Sequence, residues 1–227
     1  MKKSNYYLKI AISSFVLFLA VYLSGCVNVD QKTKLNSDGS GTIDLHYWTK
    51  MSNVSSSDEL GGFAFSEDKA KANYTSGNTE VTSVKVEDNL DDSTKHVNLE
   101  IAFKNINDLS SAKGFEKTTA SWKEGDDGMD FSYILAQDTS NAKNMGASDT
   151  KLTYEFEFPG EVIETNGRKD GQKVVWEKTL ADLKEDVEMT ATVKSDKGGC
   201  GLFGYELPVI VFFGMMFFYA RNRKKKS

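Results

Sequence analysis

The sequence predicts an α+β domain: a curved antiparallel sheet with one or two short helices on one face, followed by a C-terminal transmembrane helix. Three observations lead to this fold class. Apolar and polar residues alternate through most of residues 27–193, turn-forming stretches rich in Gly, Asp and Asn separate the alternating segments, and only two short segments carry helical signals. Strands with one polar face and short connections are typical of antiparallel sheets.

Residues 1–25 are predicted to be a lipoprotein signal peptide. Three lysines precede an apolar run at 10–23, and the run ends in the sequence LSGC at 23–26. This end resembles the lipobox of bacterial lipoproteins, in which small residues admit a peptidase and the thiol accepts diacylglycerol as a thioether. We therefore predict that Cys26 is lipidated and begins the mature chain. The alternative is a cysteine that follows an ordinary signal peptide by chance.

The strands are predicted from period-two alternation. The first two form a hairpin, with residues 27–35 and 43–47 on either side of the turn sequence NSDGSG. NSDGSG resembles a calcium loop, but Tyr47 occupies the twelfth position, where a bidentate Glu is required, so a simple turn is predicted. The other strands are predicted near 81–86, 97–103, 118–122, 131–135, 154–158, 162, 174–176 and 187–193.

Two segments carry helical signals. In FSEDKAKANY, Ser66 is a candidate N-cap with acidic residues in the first turn after it. In NDLSSAKGF, Asn107 is the candidate cap and Gly114 the candidate stop. Residues 138–150 contain almost no apolar side chains and are predicted to form an exposed loop.

The C-terminus carries a second membrane signal. Residues 202–220 form an apolar run with one charge, and a helix of this length extends roughly 28 Å, close to the thickness of the hydrocarbon core. The basic tail at 221–227 is predicted to be cytoplasmic by the positive-inside rule. Residues 26–199 are then an extracytoplasmic domain that is tethered to the cell membrane at both ends.

Charge and motifs exclude several classes of function. The chain has a net charge of −5, and the basic residues at its two ends leave the domain between them more acidic still, so nucleic-acid binding is not predicted. No phosphate-binding loop, nucleophile elbow or dinucleotide motif is present, so we predict no catalytic residue, no cofactor and no enzyme. His46 and His96 are predicted to be surface-facing strand residues. The acidic sequence EGDDGMD is predicted to be a turn and not a metal site.

Two stretches resemble a known family. SDGSGTIDL at 37–45 and FPGEVIETNGRKDGQKVVWEKTL at 158–180 are similar to the LppM-type domain of bacterial lipoproteins. The resemblance implies a single α+β external domain, often followed by a transmembrane helix. It also implies a lipid or other apolar ligand in the curve of the sheet. Trp176 is expected to anchor the core.

Cys200 belongs to a second resemblance. The sequence KGGCG, an apolar helix and a basic end are similar to tripartite sorting signals of bacterial envelope proteins, in which a membrane protease cuts near the Gly/Cys signature. Cys200 is therefore a candidate processing or modification site, with an intermolecular disulfide and a plain juxtamembrane residue as alternatives. Cleavage there would leave the lipid as the only anchor and make the cell surface accessible.

These observations predict a membrane-anchored envelope lipoprotein. The favoured function is binding of a lipid or another apolar ligand, possible partners being the membrane and its lipids. The alternative is a structural or assembly role, in which the sheet edges or the acidic face dock another envelope protein.

Overall fold

The structure, a computed structural model, describes residues 27–54, 56–137 and 150–194. The predicted signal peptide, Cys26, Cys200, the predicted transmembrane helix, the basic tail and residues 138–149 of the predicted loop lie outside the described residues. No helix within the described ranges is long and apolar enough to cross a membrane.

The described residues form a mostly-β domain. Its strands are β1 (Asn28–Leu35), β2 (Gly41–Lys50), β3 (Glu59–Leu60), β4 (Phe63–Ala64), β5 (Thr79–Asn89), β6 (Thr94–Phe103), β7 (Thr118–Glu124), β8 (Met129–Leu135), β9 (Lys151–Glu157), β10 (Val162–Thr165), β11 (Arg168–Asp170), β12 (Lys173–Thr179) and β13 (Val187–Val193). The α-helix is α1 (Glu67–Tyr74), and short 3₁₀ helices span Met51–Asn53, Ile106–Ser111, Lys113–Phe115 and Asp182–Lys184.

The strands are arranged in two main sheets and a small hairpin. The larger sheet has seven strands in the order β11-β12-β9-β1-β2-β6-β5, the smaller has four in the order β10-β13-β8-β7, and β3 pairs with β4. Within the larger sheet β1 runs parallel to β9, with Val29 beside Leu152. The prediction of one purely antiparallel sheet is therefore wrong: there are two facing sheets, and the larger is mixed. Alternation shows which side of a strand is buried, but it does not show the direction of its neighbour.

The smaller sheet packs over one half of the larger one through aromatic side chains. The ring centroid of Phe131 on β8 lies 4.7 Å from that of Phe156 on β9, and that of Tyr133 lies 5.2 Å from Phe156. Trp176 on β12 is 2% exposed, and its indole Nε1 donates to Oδ1 of Asn166 at 2.7 Å. The predicted role of Trp176 as a core anchor is confirmed.

The other half of the same face is covered by α1 and the β3–β4 hairpin. The Tyr47 hydroxyl on β2 donates to the Ala64 carbonyl on β4, and its ring meets Phe65 edge-on at 5.4 Å. Ala70 on α1 is completely buried. The two coverings leave a gap between them at one end of the sheet, where the first candidate site lies.

The helix predictions are confirmed for one segment and corrected for the other. Ser66 is the N-cap residue of α1, although its side chain makes no capping hydrogen bond. The second segment forms 3₁₀ turns capped by Asn105, whose side chain accepts from the Asn107 amide at 3.0 Å. Asn107 instead accepts from the Trp122 amide at 2.6 Å and so occupies the edge of β7. Gly114 does not stop a helix, because it lies within Lys113–Phe115.

The predicted turns have local causes. In NSDGSG, Gly39 has φ of +85°, and Oδ1 of Asp38 accepts from the amide and hydroxyl of Ser40. EGDDGMD contains the turn between β7 and β8, where the Gly125 amide donates to the Gly128 carbonyl. Both turn predictions are confirmed.

Candidate ligand sites on the two faces of the large sheet

The first candidate site is an apolar cavity at the end of the domain where β1 begins. Its volume is about 400 Å³. The cavity lies between the start of β1, the start of β9, the end of β8 and the β3–β4 hairpin. Its apolar walls are formed by Val27, Val29, Leu60, Phe63, Leu135, Ala136, Leu152, Leu180 and Leu183.

The hairpin over this cavity depends on two glycines. Gly61 and Gly62 have φ values of +59° and +91°, which turns of two residues between antiparallel strands require and which other residues rarely adopt. This turn brings Leu60 and Phe63 into the cavity wall, where both are half-buried. The hairpin therefore supplies an apolar flap of two short strands on one side of the cavity.

The polar side chains in the cavity wall include both uncharged and ionisable groups. Tyr74 and Tyr154 line it, and burial raises the pKa of each phenol well above its usual value, so both hydroxyls stay protonated at physiological pH. Three ionisable side chains, Lys113, Glu116 and Lys117, also line it. This combination suits a ligand with an apolar body and a polar end.

A buried polar network borders the cavity. The Tyr133 hydroxyl donates to Oε1 of Gln31 at 3.3 Å, and Nε2 of Gln31 donates to Oγ1 of Thr33 at 3.0 Å. Burial raises the pKa of Tyr133 to about 12, while hydrogen bonds with Gln31 and with the cavity-lining Thr118 act to lower it. The network satisfies the amide of Gln31 between two apolar sheets.

The second candidate site is a polar groove on the opposite face of the same sheet. Its volume is about 470 Å³. The side chains that line it come from four adjacent strands: Asp30 and Lys32 on β1, Asp44 and His46 on β2, Asn98 and Glu100 on β6, and Ser83 and Lys85 on β5. A β-bulge between Val81 and Ser83 shifts the register of β5 at this edge.

The two histidines meet beside this groove. His46 Nε2 lies 2.9 Å from His96 Nδ1, and the His46 ring stacks on Trp48 with centroids 4.6 Å apart. Both histidines are half-buried on the outer face, so their predicted placement is confirmed. Sequence reasoning missed their contact, because it depends on the β2–β6 register that sets Trp48 opposite His96.

The structure does not describe the remaining predicted site residues. Cys26 and Cys200 lie outside the described residues, so lipidation and processing stay predictions. Within the three described ranges, no group of three or more His, Cys, Asp or Glu side chains could hold a metal ion.

Comparisons with known proteins give one family and one similar solved structure. Residues 66–195, more than half of the chain, match the LppM domain family. The chain also resembles the folded domain of LppM from Mycobacterium tuberculosis, solved by NMR, with 14% sequence identity, coverage of 78% of this chain and 95% of that chain, and a TM-score of 0.45. No curated protein sequence matches.

Proposed function

The chain belongs to the LppM domain family, and we propose that it is a membrane-anchored envelope lipoprotein that binds an acyl chain or another apolar ligand in the cavity beside Val27. One observation carries this proposal. The cavity is apolar, and its wall begins at Val27, the residue that directly follows the predicted lipidation site Cys26. Consecutive Cα atoms are about 3.8 Å apart, so a lipid on Cys26 would hold the cavity close to the membrane surface.

The size and lining of the cavity favour an acyl chain. A volume of about 400 Å³ falls within the range of small-molecule sites. Each methylene that moves from water into an apolar site stabilises the complex by about 0.8 kcal/mol. A segment of several methylenes therefore supplies enough free energy for binding, while Lys113 and Lys117 lie in the same wall and suit a polar or anionic end.

The proposal also includes the two membrane anchors and a binding role without catalysis. Diacylation of Cys26 and a helix at 202–220 would hold the domain on the extracytoplasmic face of the cell membrane. Most of the cavity wall is apolar, and this lining suits the binding of an apolar ligand. The role is therefore to hold a ligand without transforming it.

The alternative is docking of another envelope protein at the edge of the large sheet. β5 ends that sheet and runs for eleven residues, which favours addition of a further strand. It also carries Lys85 and Glu87, joined by a salt bridge of 2.6 Å, and charged side chains on an edge strand oppose such pairing. We place this alternative second.

The test is retention of a ligand by the full chain and by a variant with a filled cavity. Leu183→Trp adds bulk at a half-buried wall position, whereas Leu90→Trp makes the same change at a side chain that is 79% exposed and outside the cavity. Native mass spectrometry of the membrane-extracted chain should show a non-covalently bound lipid, in addition to any lipid on Cys26, on the parent and on L90W. This bound lipid should be lost from L183W. Binding of the fluorescent fatty acid cis-parinaric acid should follow the same order.

Two outcomes would reject this function. The first is a parent chain that carries no non-covalently bound lipid and does not bind the fatty acid. The second is equal binding by all three proteins while thermal melting shows that L183W is folded, since the ligand would then occupy another place.

A further inference from the structure

A chain of hydrogen bonds leads from the β5–β6 turn to the polar groove. Thr94 Oγ1 donates to Oδ1 of Asp92 at 2.5 Å, because a carboxylate oxygen only accepts. Thr94 Oγ1 also lies 2.7 Å from His96 Nε2, and His96 Nδ1 lies 2.9 Å from His46 Nε2. These contacts join four side chains in one line.

The direction of each bond in this line follows from the number of protons. The Thr94 hydroxyl has one proton and gives it to Asp92, so His96 Nε2 must donate to Thr94. A neutral His96 then has a bare Nδ1, which accepts from His46 Nε2. A neutral His46 is left with a bare Nδ1, which has no hydrogen-bond partner in the described part of the chain.

His46 is the member of this line that borders the groove, and its neighbours there are also available to a ligand. Within the described ranges, Asp30, Lys32, Asp44 and Glu100 form no salt bridge of 4 Å or less. Asp44 and Glu100 are directly opposite each other in the β2–β6 register, an arrangement of like charges that destabilises a sheet. Lys32 offsets part of this acidity, and Lys85, which is joined to Glu87 at 2.6 Å, adds a second ammonium group at the edge, so the groove combines donors with acceptors.

We propose that the groove binds a neutral, hydroxyl-rich ligand of the sugar class, and that the Asp92–Thr94–His96 line fixes His46 Nδ1 as an acceptor for one of its hydroxyls. Carboxylates and a bare imidazole nitrogen accept from hydroxyl groups, and the lysine ammonium groups donate to hydroxyl oxygens. A groove with both signs of charge lacks the one-sided field that would select an ion. The site is separate from the apolar cavity, because it lies on the other face of the sheet and uses none of the same residues.

The hydrogen-bond line is tested by the protonation of the two imidazoles. The chain contains two histidines, so the ¹⁵N-histidine spectrum of the full chain in nanodiscs shows two rings, assigned with His46→Gln and His96→Gln. At neutral pH we expect both rings to carry their proton on Nε2. Thr94→Val should return His96 and His46 to a mixture of tautomers, while Thr42→Val, on the same face of β2 outside the groove, should not. A parent His46 with its proton on Nδ1 would overturn the assignment.

The ligand class is tested on the same sample with glucose, maltotriose and chitotriose. At least one sugar should shift the His46 Nδ1 signal, and Asp44→Asn should weaken its binding by about tenfold or more. Asp91→Asn, on the exposed turn between β5 and β6, is the matched control and should leave binding unchanged. The proposal fails if neither a free sugar nor a glycolipid headgroup shifts His46, or if D44N binds the sugar as tightly as the parent. A signal that moves only with glycolipid-bearing nanodiscs would identify a headgroup, not a free sugar, as the hydroxyl-rich ligand.

Discussion

The two faces of the seven-stranded sheet are built from alternate residues of the same strands, yet they form sites of opposite chemistry. On β1, Val29 lines the apolar cavity and the next residue, Asp30, lines the polar groove. On β2, Tyr47 is completely buried in the inner core, whereas His46 borders the outer groove. A register shift of one residue would exchange the two faces. The period-two pattern therefore encodes both sites at once, and each face constrains the other.

The largest expected effect is a difference in stability between substitutions on the two faces of the sheet. Phe156 on β9 is fully buried against Phe131 and Tyr133, so Phe156→Ala should lower the free energy of unfolding by about 3–5 kcal/mol. Its neighbour Glu157 makes exposed salt bridges with Lys34 and Lys173, and Glu157→Ala should cost about 0–1 kcal/mol. Chemical denaturation of both variants measures the difference. Equal losses would show that the inner face does not carry the core.

A second prediction concerns how tightly the cavity wall is packed. A Cβ on Gly114 would lie 2.3 Å from Cε1 of Tyr74, and both residues line the cavity, so Gly114→Ala should destabilise the domain by about 1–3 kcal/mol. Gly77 has no atom within 4 Å of such a Cβ and no positive φ. Gly77→Ala should therefore be neutral or stabilising by less than about 1 kcal/mol. Thermal melting compares them, and a G114A protein as stable as G77A would mean that Tyr74 moves freely.

Much of the inner face could be predicted from the sequence, because buried strand positions are occupied by apolar residues at every second place. The alternating residues at 154–158 and 174–176, which include Phe156 and Trp176, placed these core strands correctly. The parallel pairing of β1 with β9 could not be predicted, since a strand with one polar face has the same sequence pattern beside a parallel or an antiparallel neighbour. For the same reason, an apolar wall residue such as Val29 cannot be told from one that fills a core.

The outer face was less predictable, because its contacts depend on register more than on burial. His46 and His96 are fifty residues apart, and each occupies a polar position in an alternating strand. Only the pairing of β2 with β6 brings them together, and only the turn that ends at Thr94 adds the acceptor that orders their protons.

The role of Gly114 on the inner side also depends on tertiary contacts. Its position in the sequence suggested a helix stop, whereas in the structure it lets the Tyr74 ring approach the backbone.

The smallest expected effect distinguishes the faces by their response to pH. Burial, and next the neighbouring His96, lower the pKa of His46 below its usual 6.5, so the unfolded chain takes up this proton at a higher pH than the folded domain. The stability contribution of His46 is therefore complete above pH 6.5 and is lost as the pH falls from 6.5 through the lowered pKa. Asp30 raises the pKa of His46 and Lys32 lowers it, so these charges partly cancel and the slope of stability against pH is small.

Denaturation between pH 8 and pH 5 should show this loss in the parent and in Thr42→Val, and a smaller loss in His46→Gln. The inner face should add nothing in this window, because the pKa of Tyr133 is about 12 and that of Tyr154 is raised by burial. Identical slopes for the parent and H46Q would show that the outer face is as insensitive to protons as the inner one.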